Sequence, residues 1–177
     1  MKVFLSELRI YVCNYWISKI PSHSFRLWYY RKVMKFKIGK GSYVFMNCRF
    51  DCSDGLTIGE NSVVNANCRL DSRGGLEIGN CVSVSEDVIF LTADHNEDLI
   101  GISGREKKII IKDYVWIGTR AMILPGVTIE KGAAVAAGAI VTRDVSYLNV
   151  VAGIPAKKIN MRPEEFNYSS SYRRLFQ

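Results

Sequence analysis

His95 is the side chain of this sequence best suited to moving a proton at neutral pH. It is one of only two histidines, and imidazole has an unperturbed pKa of about 6.5, which suits a general base. Polar neighbours along the chain could orient its ring, and the sequence does not decide between them: Asp94, Asn96, Glu97 and Asp98. The other histidine, His23, falls in a predicted helix and is interpreted as structural. We therefore predict that His95 is the catalytic base.

An aliphatic residue recurs every six positions in the second half of the chain, and a small residue follows each one four positions later. The aliphatic series is Ile111, Ile117, Ile123, Ile129, Val135 and Val141, and the same pattern runs from Ile38 to Val88. A period of six fits neither a helix, which repeats every 3.6 residues, nor a simple strand, which repeats every two. It is typical of a parallel β-helix, in which each six-residue unit forms one flat side of a triangular coil.

A longer repeat groups these units into coils. Ile38, Ile58 and Ile78 lie 20 residues apart, two more than three hexads, and the extra residues fall at Asp54-Gly55 and Gly74-Gly75. Glycine tolerates the positive φ that a tight corner needs. We predict an all-β fold, a parallel β-helix of about five coils, each stable only with neighbours that cover its apolar edge.

The repeat is interrupted once, and the interruption contains His95. An insertion in a strict repeat is expected to leave the prism as a loop, and such loops are often functional. The predicted parts are an N-terminal helical cap (1–36), a β-helix (37–160) with a protruding catalytic loop (91–110), and a C-terminal tail (161–177), the tail being partly helical around 163–166.

Residues 1–36 carry apolar side chains at helical spacing on both sides of Pro21, and Ser22 is placed to cap the second helix. An aromatic-rich helical hairpin of this kind most often covers the open end of a solenoid. The alternative is peripheral contact with a membrane, in which basic residues meet anionic lipids. The two interpretations are compatible. The basic residues are Arg26, Arg31, Lys32, Lys35 and Lys37.

The composition limits the classes of location and partner. The chain has no apolar run long enough for a transmembrane helix and no signal-peptide pattern. Five cysteines show no metal-ligand spacing, and Cys48 and Cys68 occupy the small position of the repeat. Reduced thiols in a cytoplasmic protein, or one at the inner face of the membrane, are therefore expected. The net charge of +7 favours a phosphorylated cofactor over nucleic acid, because no nucleic-acid-binding motif is present.

Three motifs in the second half are more specific than the repeat itself. They read VWIGTRAMILPGVTI at 115–129, GAIVTRDV at 138–145 and VAGIPAK at 151–157. Together they resemble the hexapeptide-repeat acetyltransferases, in the branch with galactoside, maltose and nodulation acetyltransferases and surface-polysaccharide O-acetyltransferases. The resemblance covers residues 37–160. It implies a left-handed β-helix, a homotrimer with active sites between subunits, acetyl-CoA as donor and no required metal.

The resemblance also implies roles for individual residues. It places the catalytic histidine in the interrupting loop, where His95 lies, and one wall of the site at Trp116. Asn65 matches an acceptor-binding asparagine, and Asp71 lies near, but displaced from, the position of an acidic acceptor ligand. Contacts with CoA are implied at five positions: Thr119, Ala137, Thr142, Arg143 and Lys157.

Acetyl transfer from a thioester to a hydroxyl needs the hydroxyl deprotonated as it attacks, and the oxyanion stabilised by fixed donors. A histidine base fits that need, and small residues let a pantetheine arm lie close to the coils. We predict an acetyl-CoA-dependent O-acetyltransferase acting on a sugar hydroxyl, in the biosynthesis of a surface polysaccharide such as capsule or lipopolysaccharide. The alternatives are an antibiotic or xenobiotic O-acetyltransferase and a non-catalytic trimeric β-helix scaffold.

Overall fold

The computed structural model describes residues 2–96, 103–166, 169–172 and 174. Helical segments come first: α1 (Lys2–Tyr15), a 3₁₀ turn (Ile17–Lys19) and α2 (His23–Lys32). The hydroxyl of Ser22 accepts a hydrogen bond from the N–H of Phe25 and caps α2, as predicted. No helix within the described ranges is long and apolar enough to cross a membrane.

Nineteen short strands follow in these described ranges. Those before the interruption are β1 (Lys37–Ile38), β2 (Tyr43–Val44), β3 (Arg49–Phe50), β4 (Leu56–Ile58), β5 (Val63–Val64), β6 (Arg69–Leu70), β7 (Leu76–Ile78), β8 (Ser83–Val84) and β9 (Ile89–Phe90). The interruption contains β10 (Ala93–Asn96) and β11 (Ser103–Glu106). The others are β12 (Ile109–Ile111), β13 (Trp116–Ile117), β14 (Met122–Ile123), β15 (Thr128–Ile129), β16 (Ala134–Val135), β17 (Ile140–Val141), β18 (Asn149–Ala152) and β19 (Lys157–Met161).

Three sheets form the sides of a triangular prism. Sheet A has the order β1-β4-β7-β12-β15, sheet B has β2-β5-β8-β13-β16-β18-β19, and sheet C has β3-β6-β9-β14-β17. The chain visits A, B and C in turn, and each strand pairs in parallel with its counterpart one coil below. Residues 37–141 therefore make five coils of a left-handed β-helix, as predicted. β18 adds a further rung to sheet B, and β19 pairs with it antiparallel.

The interior is a stack of apolar side chains, one per sheet from each coil, and all are aliphatic except Phe50 and Phe90 in sheet C. In sheet A this stack is Ile38, Ile58, Ile78, Ile111 and Ile129. All five are buried, and full burial of such a side chain contributes about 1.5–3 kcal/mol. The six-residue period therefore marks the residues that hold the coils together.

The small residues of the repeat fill the corners and hydrogen-bond between coils. The hydroxyl of Ser62 donates to the carbonyl of Gly79 at 2.8 Å and accepts from the N–H of Val82 at 2.9 Å. The side chains of Cys48 and Cys68, which occupy the small position of the repeat, are fully buried and pack in these corners. All five cysteines are free thiols.

Two corners of the prism turn through residues with positive φ. They are Gly41, Asn61, Cys81, Tyr114, Gly132 and Leu148 between sheets A and B, and Asn47, Asn67, Asp87, Arg120 and Gly138 between sheets B and C. From the second coil onward each donates its N–H to a carbonyl of the coil below, as Asn67 does to Met46 at 3.1 Å. These bonds offset a backbone cost of about 1–2 kcal/mol per non-glycine residue. The predicted glycine corners at Gly55 and Gly75 also have positive φ.

The two helices cover the first coil, as a cap should. The side chain of Asn14 donates to the carbonyl of Phe50 at 2.8 Å and accepts from its N–H at 2.9 Å. Its amide thus pairs with the end of β3 as a further strand would. The rings of Tyr30 and Phe36 pack on Phe50 with centroids 5.1 and 5.0 Å away. The open edge of the first coil is therefore closed by both polar and aromatic contacts.

The described part of the C-terminal tail corrects the prediction of a helix around Pro163. Residues 162–166 form no helix. The ring of Phe166 instead packs on Tyr114 with a centroid distance of 4.8 Å. A single helical turn is unstable without tertiary support, and here the tertiary contacts favour the extended chain.

Candidate active site

The interruption of the repeat forms a β-hairpin that leaves the prism where sheet C passes to sheet A. β10 and β11 pair antiparallel with His95 opposite Gly104, and His95 is exposed. At the base, the N–H of Lys107 donates to the carbonyl of Thr92 at 2.8 Å. A Cβ on Gly74 would lie 2.8 Å from both of these backbone atoms. The base of the hairpin therefore rests directly on a glycine of the coil below.

Asp71 anchors the first strand of the hairpin. Its side chain is fully buried and accepts bonds from Nε and Nη2 of Arg73 at 2.9 and 3.0 Å. It also accepts the N–H groups of Thr92 and Ala93 at 2.9 and 3.2 Å. Burial alone would raise the pKa of Asp71, but the bonds from Arg73 and Thr92 outweigh burial and lower it. The expectation that Asp71 contacts an acceptor does not fit this burial, because no surface of its side chain remains exposed.

A shallow cavity of about 360 Å³ lies beside His95, lined by both strands of the hairpin and by Arg73. Asp94, which could have oriented the His95 ring, is paired with Arg105, whose Nε and Nη2 donate to its carboxylate at 2.7 and 2.6 Å. That pairing lowers the pKa of Asp94. The other candidates to orient the ring, namely the side chains of Asn96, Glu97 and Asp98, lie outside the described residues.

Trp116 lies at the start of β13 on the outer surface of sheet B. Its neighbours are Ser83 on the coil below and Ala134 on the coil above, and 47% of its surface is exposed. It lines a cavity of about 490 Å³ whose opposite wall is the C-terminal tail, through Arg162, Ser169, Ser170 and Tyr172. Trp116 is therefore available as one wall of a concave binding site.

Asn65 follows β5 at the corner between sheets B and C. Its Nδ2 donates to the carbonyl of Val84 at 2.7 Å, which fixes the orientation of the amide. Its Oδ1 is hydrogen-bonded to the hydroxyl of Tyr172. An acceptor substrate that binds this amide would therefore also contact Tyr172.

Two of the positions implied to contact CoA lie one above the other at the corner between sheets B and C. Thr119 and Ala137 are both exposed, and the N–H of Gly138 donates to the carbonyl of Thr119 at 2.8 Å. A Cβ on Gly118 would lie 2.6 Å from the nitrogen of Ala137, so the coils approach closely here. The corner presents a strip of small residues along which an extended pantetheine arm could lie.

The remaining implied CoA positions lie around the last full coil. Thr142 and Arg143 follow β17, and Lys157 opens β19; all three are exposed. The N–H of Ala156 donates to the carbonyl of Ile140 at 2.8 Å. That bond holds the chain before Lys157 against β17, so both cationic side chains belong to the same end of the prism and can hold an anion there.

The repeat and the fold of this chain are similar to those of known acetyltransferases. The pattern of the bacterial transferase hexapeptide family (six repeats) matches residues 108–143. A hexapeptide-repeat acetyltransferase from Vibrio cholerae O1 biovar eltor, solved with acetyl-CoA, has a TM-score of 0.81 at 26% identity over 87% of this chain and 85% of that one. A maltose O-acetyltransferase from Clostridium difficile 630 has a TM-score of 0.77 at 28% identity over 92% and 86%. The chain therefore carries the hexapeptide repeat and the fold of these acetyltransferases.

A further relative of this chain shares a shorter segment. A 2,3,4,5-tetrahydropyridine-2,6-dicarboxylate N-acetyltransferase from Staphylococcus aureus (strain bovine RF122 / ET3-1) is 59% identical over 56 residues, 32% of this chain. The match spans only 23% of that enzyme's length. Its acceptor therefore does not carry over to this chain.

The site residues predicted from the sequence fall into two groups on one chain. One group lies where sheet C passes to sheet A: Asp71, His95, Thr142 and Arg143. The other lies on sheet B and its corner with sheet C: Asn65, Trp116, Thr119, Ala137 and Lys157. The cavities beside His95 and Trp116 share no residue among those described. A single chain, in its described part, does not bring the two groups together.

Sequence reasoning does not identify three residues that line these cavities: Arg73, Arg105 and Tyr172. A signal for the first was present, because Arg73 follows Asp71 by two positions at the end of a strand. No local signal marks Tyr172, because its position depends on the path that the tail takes over sheet B.

Proposed function

We propose that this protein transfers the acetyl group of acetyl-CoA to a hydroxyl group of a sugar. The observation that carries the proposal is an exposed histidine on an anchored hairpin, in a fold with a TM-score of 0.81 to an acetyltransferase solved with acetyl-CoA. A sugar hydroxyl is favoured as acceptor because a maltose O-acetyltransferase aligns over 92% of the chain.

In the proposed reaction His95 accepts the proton of the acceptor hydroxyl while the oxygen attacks the carbonyl carbon of the thioester. The new C–O bond forms and the C–S bond breaks. The departing CoA thiolate takes the proton from the imidazolium, which restores the base. General-base assistance of this kind contributes about 10²–10⁴ in rate, and fixed N–H donors stabilise the oxyanion.

The donor in this proposal lies along the corner between sheets B and C. Thr119 and Ala137 leave room there for the pantetheine arm, since their side chains are small and exposed. Arg143 and Lys157 bind the nucleotide phosphates through charge-assisted hydrogen bonds. No metal is needed, because the thioester is already activated toward attack.

The active assembly is a homotrimer in which the His95 hairpin of one chain meets the Trp116 face of its neighbour. Support comes from the separation of the two groups of site residues on one chain. Cyclic symmetry repeats one heterologous contact and gives equivalent grooves between neighbours. A binding site for a drug-sized ligand needs such a concave groove.

The acceptor in this proposal is a precursor of a surface polysaccharide, modified at the inner face of the membrane. The support is the outer surface of α1 and the turn after it, where Val3, Phe4 and Trp16 are 75%, 68% and 64% exposed. Exposed apolar side chains beside basic ones favour an anionic lipid surface. Co-sedimentation with phosphatidylglycerol vesicles at low salt, lost in Phe4→Glu and absent with neutral vesicles, is expected; no sedimentation with either vesicle would contradict membrane contact.

The proposed function is tested by release of free CoA thiol from acetyl-CoA in the presence of candidate acceptors. The panel comprises maltose, methyl β-galactoside, nucleotide sugars, an amino sugar and chloramphenicol. An acetyl ester on a sugar is the expected product. An amide product would instead indicate N-acetyl transfer, as the name of the Staphylococcus aureus relative describes. Acetyl-CoA binding without transfer to any acceptor would favour a non-catalytic scaffold.

A further inference from the structure

The described residues of the C-terminal tail, 162–166, 169–172 and 174, lie along the outside of sheet B between the last coil and the cap. Nη1 of Arg162 donates to the carbonyls of Tyr114 and Gly132, each at 3.0 Å. Further along, the hydroxyl of Ser170 donates to the carbonyl of Cys81 at 2.8 Å. That of Ser171 donates to the carbonyl of Gly41 at 2.6 Å. These carbonyl groups belong to successively lower coils, so the described tail residues contact the prism over its full height.

The end of this path is also fixed. The carbonyl of Arg174 accepts a 2.7 Å hydrogen bond from Nε2 of His23 at the start of α2. His23 is buried, with 3% of its surface exposed. The histidine predicted to be structural therefore holds the tail as well as the cap.

The tail encloses space against sheet B. The cavity of about 490 Å³ between them has Trp116 on the coil side and Tyr172 on the tail side. Three serine hydroxyls complete the lining, from Ser83, Ser169 and Ser170, together with Arg162. Binding cavities for small ligands typically span about 300–1,000 Å³. This one is large enough for a sugar ring with a substituent.

The chemistry of this lining suits a neutral polyhydroxylated ring. Two aromatic rings offer apolar faces with a polar tip. The hydroxyl of Ser83 can both donate and accept, whereas that of Ser170 donates to Cys81 and can accept from a ligand. No Asp or Glu lines the cavity among the described residues, so a cationic acceptor has no partner here. A sugar has the matching surface, with C–H groups on its faces and hydroxyls around its edge.

Tyr172 connects the cavity with Asn65. Its hydroxyl is bonded to Oδ1 of that amide, and its ring meets Phe45 edge-on with centroids 5.4 Å apart. The amide cannot turn away, because its Nδ2 is held by Val84 at 2.7 Å. The tyrosine hydroxyl therefore lies where a hydroxyl of the sugar would meet Asn65. Tyr172 and Asn65 must then both hydrogen-bond to the same hydroxyl oxygen of the bound sugar.

We propose that the C-terminal tail is the outer wall of the acceptor pocket, and that Tyr172 selects an uncharged sugar ring together with Asn65 and Trp116. This rests on the proposed acetyl transfer to a sugar. In this proposal the tail binds the sugar acceptor, and the corner that carries Thr119 and Ala137 binds acetyl-CoA.

The kinetic test compares Tyr172→Ala, Tyr172→Phe and a chain lacking residues 169–177. We expect Tyr172→Ala and the shortened chain to raise KM for the best sugar of the panel by about tenfold, the effect of losing about 1.4 kcal/mol. KM for acetyl-CoA should stay within about twofold. Tyr172→Phe keeps the ring, so it should change mainly the preference among sugars that differ at one hydroxyl. Tyr147→Phe is the matched control, because it removes a hydroxyl bonded to Glu164 outside the pocket.

A second readout does not depend on turnover. Trp16 and Trp28 are exposed on the cap, so replacing both with Phe leaves Trp116 as the only tryptophan of three. Maltose should change the fluorescence of Trp116 in that background, and Tyr172→Ala should abolish the change while the melting temperature stays unchanged. Sugar binding without acetyl transfer would support the pocket and contradict the proposed reaction.

Three results would overturn the proposal. Unchanged sugar KM and fluorescence response in Tyr172→Ala would show that the tail only packs against the coils. A higher kcat/KM for sugar in the shortened chain would show that the tail blocks the pocket. A change in KM for acetyl-CoA alone would assign the cavity to the donor.

Discussion

Asp71 and Arg73 form a bidentate ion pair directly beneath the strand that carries His95, and the carboxylate of the pair is fully buried. The same carboxylate accepts the first two N–H groups of the hairpin, those of Thr92 and Ala93. The hairpin is therefore fixed at its base by a charge that lies inside the prism. If the foot of the hairpin were mobile, the imidazole of His95 would be poorly positioned, since catalysis depends on holding the reacting groups in line.

Asp71→Asn should destabilise the protein by about 1–3 kcal/mol, because it leaves the two N–H donors of the hairpin without a buried carboxylate. The matched control is Asp51→Asn one coil below. Asp51 makes the same bidentate pair with Arg69, at 2.8 and 3.0 Å, but on the surface, where such a pair contributes about 1 kcal/mol or less. Urea unfolding measures both, and equal losses would contradict the anchoring role.

Stability should depend on pH through Asp71. Burial raises and the bonds from Arg73 lower its pKa, which lies below the ordinary value in the folded chain. A carboxyl with a lowered folded pKa stabilises the fold above its unfolded pKa of about 3.9, and this contribution is lost as the pH falls further. The free energy difference between wild type and Asp71→Asn should thus be constant from about pH 7 to 5 and shrink below about pH 4. A difference unchanged at about pH 3 would contradict this.

His95→Ala should lower acetyl transfer by at least about 10², because it removes the general base. Acetyl-CoA affinity, measured by calorimetry, should change by less than about threefold. Ser103→Ala on the facing strand of the hairpin serves as the control and should leave turnover unchanged. Turnover close to wild type in His95→Ala would exclude this histidine as the base.

Arg143→Gln and Lys157→Gln should each raise KM for acetyl-CoA by roughly tenfold, since one charged hydrogen bond contributes about 1.5–3 kcal/mol. The effect should be smaller with the dephospho form of the donor, which lacks the 3′-phosphate. Lys112→Gln, another exposed lysine, is the control. Equal effects on both donors would place the 3′-phosphate elsewhere.

A shared site predicts complementation between inactive chains. Reassembly of His95→Ala with Trp116→Ala at equal amounts should restore about a quarter of the sites of a cyclic trimer, because one groove in each mixed trimer receives two intact walls. Activity is measured after subunit exchange has been verified by mass. A mixture that stays inactive, or an active monomer by sedimentation, would exclude the shared groove.

The coils could be predicted from the sequence because one inward side chain per hexad repeats regardless of context. Ile38, Ile58, Ile78 and Ile111 do stack in register. The corner residues could not be predicted in this way. Cys81, Tyr114, Arg120 and Leu148 have positive φ although none of them favours it alone. Their conformation is stabilised by hydrogen bonds to the neighbouring coil, which the local sequence does not encode.

The site was less predictable than the fold. The position of His95 could be predicted, because the interruption of a strict repeat is visible in the amino-acid sequence. The burial of Asp71 depends on the hairpin closing over it, and the contact between Tyr172 and Asn65 joins residues 107 positions apart. Such contacts depend on the paths of irregular segments, and the periodic pattern carries no information about those paths.

A β-helix could in principle extend without limit, as a fibre does, since the exposed edge of each coil can pair with a further coil. The amide of Asn14 occupies both hydrogen-bonding groups of Phe50 on the first coil, and β19 runs antiparallel to the last rung of sheet B. Neither terminal surface then offers a continuous parallel edge to a second prism. A side-chain amide closes the first coil and an antiparallel strand closes the last rung. Together they limit a fold that could extend without end to a prism of defined length.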